Sequence, residues 1–250
     1  MAKAADFAAL GGQKTTRRAR VLTAIFAAGV LAFLGLGLDG SGLIPEGEGA
    51  VLVKDFFAAA VQPAWDYEPG GFLPADAPPF LWKVVRGLWG TLVYAIIAIS
   101  LSFVLGLVLG VFASESFWAT RGRAWGVLRW SIRVLLTAMR SIHELLWALL
   151  LLAALGLSPA AAVLAIFIPY TGTLAKVFSE MLDECDARPS NALHQVGVTQ
   201  SRIFLFARLP RALPDIAAYT FYRFECAVRS SAVLGFFGFT TIGLYLKQSF

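Results

Sequence analysis

At 250 residues the chain could hold one large domain or two small ones. Hydrophobic residues make up 58% and charged residues only 15%, whereas a soluble domain sits near about 45–50% apolar and about 25% charged. Disorder needs the opposite balance, and two cysteines, Cys185 and Cys226, can build neither a disulfide framework nor a zinc site. The composition left standing is that of an all-α, polytopic membrane protein.

The spans follow in chain order. Val21 to Leu38 is uncharged and just long enough to cross a hydrocarbon core of about 30 Å. Basic residues precede it, as in a signal peptide, but the apolar run is too long and Asp39-Gly40-Ser41-Gly42 offers no clear cleavage site, so it reads as an uncleaved anchor. Gly87 to Ser114 is a second uncharged span. Its Gly106 and Gly110 form a small-xxx-small pair, which either lets another helix approach closely or merely loosens a lipid-facing helix. A third span is expected from about Val134 to Leu157, a reversal at Ser158-Pro159, and a fourth from Ala160 to about Val177. A fifth runs from near Leu213 to about Gly235, giving about five spans in all.

Loop charges set the expected orientation. Residues 1–20 hold five basic residues against Asp6, segment 39–87 holds three basic and seven acidic residues, and loop 114–133 holds four arginines against Glu115. The reading is a basic cytoplasmic tail (1–20), a first transmembrane helix (21–38), a periplasmic segment (39–87) and a transmembrane domain (88–246) with a cytoplasmic loop at 178–211. The formal charge of +5 is then an orientation signal. A nucleic-acid partner is not expected, because no basic patch interleaved with aromatics lies on a soluble face. Segment 39–87 is rich in Pro, Gly and aromatic residues, and Phe56 to Ala60 suits a short helix.

Charges inside spans need a reason, since each costs about 2.5–3.5 kcal/mol at mid-bilayer. The third span carries Arg140, His143 and Glu144, and the fifth carries Arg223, Glu225 and Arg229 followed by Ser230 and Ser231. Arg140–Glu144 and Glu225–Arg229 are each four apart, so each could be a self-neutralising pair on one helical face. Alternatively the surplus arginine, with the serine hydroxyls, lines a translocation path for an anion, because guanidinium presents a planar fork of donors to oxyanions. His143 by itself reads as a satisfied packing histidine.

Loop 178–211 is the most informative stretch. Pro189-Ser190 suits the start of a short helix, Gly197 a left-handed cap at its end, and Thr199 or Ser201 the cap of a second short helix ending at Leu209-Pro210. Two short helices around a glycine elbow suit a docking surface, while an ordinary connection would be shorter.

Asn191-Ala192-Leu193, three residues, Gly197, nine residues and Ala207-Arg208-Leu209-Pro210 resemble the EAA loop of bacterial ABC importer permeases, E-A-A…G…I-x-L-P, with Asn191 in place of Glu and Ala207 in place of Ile. Arg140-Ser141-Ile142-His143-Glu144-Leu145-Leu146-Trp147-Ala148 resembles the R-x-L/I-P-E-L-x-W-A stretch of phosphonate importer permeases, with His143 for Pro. Tyr222-Arg223-Phe224-Glu225 and Arg229-Ser230-Ser231-Ala232-Val233-Leu234-Gly235 resemble their Y-R-F-E…R-S-S-x-V-L-G. The resemblance covers about residues 85–246. Gly238-Phe239-Thr240-Thr241-Ile242-Gly243 stands where the family is more glycine-rich, which makes the outer gate bulkier.

That resemblance implies a type I, methionine-importer-like permease fold whose loop, through Pro189, Asn191, Ala192, Leu193, Gly197, Arg202, Leu209 and Pro210, couples to a separate ATPase. It implies a translocation path through Arg140, Glu144, Arg223, Glu225, Arg229, Ser230 and Ser231, and an outer gate at Gly238 and Gly243. Implied partners are an ABC ATPase dimer using ATP and Mg, a periplasmic substrate-binding protein, a second permease copy and the bacterial inner membrane, with the N-terminus cytoplasmic. Phosphonate or a related small phosphorus oxyanion is the implied cargo. The family's last membrane helix is expected to be missing, since the sequence stops at Lys247-Gln248-Ser249-Phe250. The chain is not expected to be an enzyme or to bind a metal or cofactor itself: Gly11-Gly12-Gln13-Lys14-Thr15 lacks the Gly-Lys adjacency of a phosphate-binding loop. Other readings are an ABC permease for a different solute, a secondary transporter coupled to protons through His143, Glu144 and Glu225, and a membrane enzyme acting on lipid phosphates.

Overall fold

The computed structural model describes residues 2–35, 48–61, 78–118 and 123–249, and every described element is helical. Residues 1–64 and 65–250 form two units.

The first unit holds α1 (Ala2–Gly35) and α2 (Glu48–Val61). Helix α1 is apolar over Ala19–Gly35, with Leu22, Phe26 and Leu31 exposed. The helix also continues back through the basic segment read as a tail. The end of the expected first span, 36–38, lies outside the described residues, as does most of segment 39–87. Around Phe56–Ala60 the expected short helix is the longer α2.

In the second unit the core is one helix pair. Helix α3 (Phe80–Ala113) starts earlier than expected, and α7 (Pro159–Glu184) runs beyond Val177. Both are long and apolar enough to cross a membrane. They cross where Gly106 and Gly110 present no side chain: a Cβ would stand 3.1 Å from Leu174 Cβ at the first, and 3.0 Å from both Ala175 O and Phe178 Cβ at the second. The small-xxx-small pair is therefore a close-approach surface. Helix α7 buries Ala161, Ala165, Ile166, Leu174, Phe178 and Leu182 around this contact.

The expected third span is not one helix. It divides into α5 (Arg123–Ser141) and α6 (Glu144–Leu155), bent by 87°. The cause is local: His143 adopts extended dihedrals and caps α6, its Nδ1 accepting from Leu145 N–H at 3.3 Å. Glu144 then sits in the first turn, where a negative charge suits the helix N-terminus. Gly156, at φ +69°, ends α6, and Ser158 Oγ accepts from Ala161 N–H at 3.2 Å to start α7.

Helix α8 (Arg188–Gln195) is followed by α9 (Gln200–Ile203). The expected second short helix does not end at Leu209-Pro210. It continues through one π turn, Phe204–Arg208, into α10 (Leu209–Val233). Pro210 can donate no backbone hydrogen bond; just before it, Leu209 N–H reaches the wider-spaced Phe204 carbonyl, and the helix continues.

A 3₁₀ turn (Leu234–Phe237) and a left-handed Gly238 (φ +101°) lead to α11 (Ile242–Ser249). Thr91 of α3 ties this end together: its Oγ1 accepts from Ile242 N–H at 3.0 Å and its carbonyl accepts from Ser231 Oγ at 2.8 Å. The bent pairs α5–α6 and α9–α10 with α11 are each long and apolar enough to cross a membrane if taken as one span.

Candidate functional site

Six of the polar residues singled out in the sequence come together. Arg140, His143, Glu144, Arg223, Arg229 and Ser230 line one open cleft of about 380 Å³, formed by the α5–α6 bend, α7 and α10. The bend makes this possible, because it turns Glu144 away from Arg140 and toward α10. The expected Arg140–Glu144 pair does not form, since the two residues no longer share a helix. Arg140 has no ion pair among the described residues, and Glu144 instead accepts a hydrogen bond from Ser230 Oγ at 2.9 Å.

Among the residues that sequence reasoning missed, Tyr170, Thr173 and Cys226 add polar groups to the cleft, beside Ile142 and Pro169. Ser230 Oγ lies 2.9 Å from Glu144 Oε1, 3.2 Å from the Cys226 carbonyl and 3.1 Å from Tyr170 Oη. With one proton to give, it favours the carboxylate, the stronger acceptor. Tyr170 O–H then donates to Ser230. Arg223 is held over the Tyr170 ring, 5.1 Å from its centroid, and over Tyr219 at 5.8 Å. Its Nε is buried without a hydrogen-bond partner among the described residues. Arg229 pairs with Glu225, as the spacing predicted, and both are exposed. Arg140 and Arg223 are thus the cleft guanidiniums that have no ion pair among the described residues. A signal for Tyr170 was present: Pro169-Tyr170-Thr171-Gly172-Thr173 is a polar interruption in an otherwise apolar span.

Glu225 and Ser231 do not line the cleft. Glu225 faces Arg229, and Ser231 is fully buried, its hydroxyl given to the Thr91 carbonyl. Gly238 holds a turn, while a Cβ on Gly243 would stand 2.1 Å from the Ala232 carbonyl, so Gly243 is a packing contact between α10 and α11.

Arg140 also lines a second cavity of about 200 Å³, with Arg133, Thr137, Lys176 and Glu180. Lys176 and Glu180 are already paired at 2.5 Å. Beyond it, Asp183 fastens the end of α3. It accepts from Ser114 Oγ at 2.6 Å, Glu115 N–H at 3.0 Å and Ser116 N–H at 2.9 Å, and also from Ser116 Oγ. Arg133 stands 3.7 Å away. These contacts hold the short helix α4 (Glu115–Trp118).

The elbow of the 178–211 loop has the shape its sequence predicted. Gly197, at φ +80°, follows α8 and allows two closing bonds: Gly197 N–H to His194 O at 3.0 Å and Val198 N–H to Leu193 O at 3.1 Å. This pairing is the Schellman motif. Asn191, Ala192, Gly197, Arg202 and Pro210 are exposed, whereas Pro189, Leu193 and Leu209 are half-buried. Val196 beside the elbow is 74% exposed, an apolar side chain left in the open. The loop is fastened from below by Gln200 Nε2 donating to Ser116 O at 2.8 Å and by the Phe117–Phe204 ring contact at 5.3 Å.

Residues 106–249, more than half of the chain, match the family described as binding-protein-dependent transport system inner membrane component. The chain belongs to that family. The matched segment contains the α5–α6 bend, the elbow and every residue that lines the cleft. Among curated relatives of this inner-membrane component, the phosphite transport system permease protein PtxC of Stutzerimonas stutzeri is 33% identical over 66% of this chain and 58% of that protein. The phosphate-import permease protein PhnE of Mycolicibacterium smegmatis is 29% identical over 64% of this chain and 29% of that protein. The chain thus spans little more than half, or less, of the length of these relatives. The fold resembles that of the MetNI methionine ABC transporter in an inward-facing conformation, with a TM-score of 0.57 and 23% identity over 66% of this chain and 78% of that one. The fold is therefore a permease fold of the methionine-importer type, and the family is one of inner-membrane transport components.

Proposed function

We propose that the chain is the membrane-spanning permease subunit of an ATP-driven importer for phosphonate or a related small phosphorus oxyanion. The observation that carries this reading is the cleft, where two guanidiniums without an ion pair among the described residues meet hydroxyl groups inside a family of transport components. The names of the relatives, phosphite and phosphate permeases, support the same class of cargo. Arg140 and Arg223 attract the anion, with Arg229 partly neutralised by Glu225.

In this proposal the elbow, with Asn191, Ala192, Gly197 and Arg202 exposed on half-buried Pro189 and Leu193, seats in a separate ATPase dimer, which alone binds ATP and Mg. A periplasmic binding protein delivers the cargo on the side of Gly238 and Gly243, the proposed outer gate. A second permease copy completes the path, and the two copies rock between inward- and outward-open states. The N-terminus and the elbow then share the cytoplasmic side.

Gly197→Val tests the docking role. A β-branched residue is strained at φ +80°, while the space around Gly197 is open, so the rest of the fold has no reason to change. Uptake of inorganic phosphate or phosphite by cells should fall about five- to thirtyfold with the protein still in the membrane, given a strain of about 1–2 kcal/mol at the contact. Undiminished uptake overturns the docking role.

A further inference from the structure

We infer that Glu144 makes the cleft discriminate among anions, favouring oxyanions that keep a hydroxyl proton over those that carry none. This rests on reading the cleft as an anion site. Arginines alone do not make the distinction, because a guanidinium donates to sulfate as readily as to phosphate. A carboxylate beside them changes the chemistry, since it repels a bare oxygen and accepts a hydrogen bond from a P–O–H group.

Glu144 has the capacity to do so. An ionised carboxylate offers about four accepting positions. Ser230 occupies one, at 2.9 Å from Oε1. His143 Nε2 stands 3.6 Å from Oε2, outside hydrogen-bond reach. His143 Nδ1 is committed as the α6 cap, accepting from Leu145 N–H. The remaining positions belong to a side chain that lines the cleft together with Arg140 and Arg223. The Tyr170–Ser230 hydroxyl chain ends on Oε1 and fixes the carboxylate in place. A pair that served only to cancel charge would have joined Glu144 to an arginine, and it does not.

Cys226 lines the same cleft and supplies the readout. Cys185, at the end of α7, is held by the Met181 carbonyl, does not line the cleft and serves as the internal control. The full-length protein, purified in detergent, is alkylated with N-ethylmaleimide, and both cysteines are followed by mass spectrometry at constant ionic strength. Inorganic phosphate should protect Cys226 at about tenfold lower concentration than sulfate, the scale of one hydrogen bond to a charged acceptor. Glu144→Gln should bring the two anions to within about twofold of each other, with the Cys185 rate unchanged as the sign of an intact fold. Arg223→Gln should remove protection by both. Equal protection of the native protein by the two anions, or a preference that survives Glu144→Gln, overturns the role of Glu144 while leaving the anion cleft standing. Protection by neither anion overturns the anion reading of the cleft itself.

Discussion

Two carboxylates on neighbouring helices have opposite surroundings. Asp183 is saturated: two hydroxyls and two backbone N–H groups converge on it, with Arg133 behind them. Among the described residues Glu144 has a single hydrogen-bond donor, Ser230, and lines a cleft with two arginines that have no ion pair there. Both are costly charges in an apolar chain, and in the first the cost is met by making a joint. The second keeps accepting capacity in reserve, which a structural role does not require. Saturation, rather than charge, separates the residue that holds the fold from the one available to a ligand.

The contrast can be broken most forcefully at Asp183. Replacing it with Ala strands two serine hydroxyls and two N–H groups, and should lower stability by about 3 kcal/mol or more, read as the thermal midpoint in detergent. A shift smaller than that caused by Glu144→Gln would erase the distinction. Arg223→Gln should act the other way round. Its stability cost should stay near about 1 kcal/mol, the scale of its ring contacts, while phosphate uptake by cells falls at least about tenfold. Glu144→Gln should cost less than about 1 kcal/mol, because the amide oxygen still accepts from Ser230, and the thermal midpoint should hardly move. Ser230→Ala is the mildest change, at about 1 kcal/mol or less; it frees the Tyr170 hydroxyl and should loosen anion preference without abolishing protection of Cys226.

Much of the elbow was legible in the residues. Pro189 opens α8 and Gly197 closes it at a positive φ because both residues carry backbone constraints that act locally. The stop assigned to Leu209-Pro210 failed because a proline removes a donor without dictating how the chain compensates, and here a π turn absorbs it. The unbroken third span failed for a related reason. Residues 134–157 are apolar on both sides of the break, so periodicity cannot tell one helix from two, and only the His143 cap followed by Glu144 marked the boundary. The cleft was half legible. Its arginines and serine stood out as polar residues in apolar spans, but which of them face each other depends on the 87° bend, a tertiary fact. Ser231 shows the limit from the other side, as a hydroxyl beside Ser230 that is spent on the Thr91 carbonyl.

The passage of α9 into α10 without a loop has a mechanical meaning. From Gln200 to Arg223 the helical path is continuous, about 35 Å at about 1.5 Å per residue. The π turn and the prolines Pro210 and Pro214 are the points at which such a path can bend. Turned as one unit, a swing of about 10° at the elbow end carries a guanidinium at the far end by about 6 Å, roughly four residues' worth of helical rise.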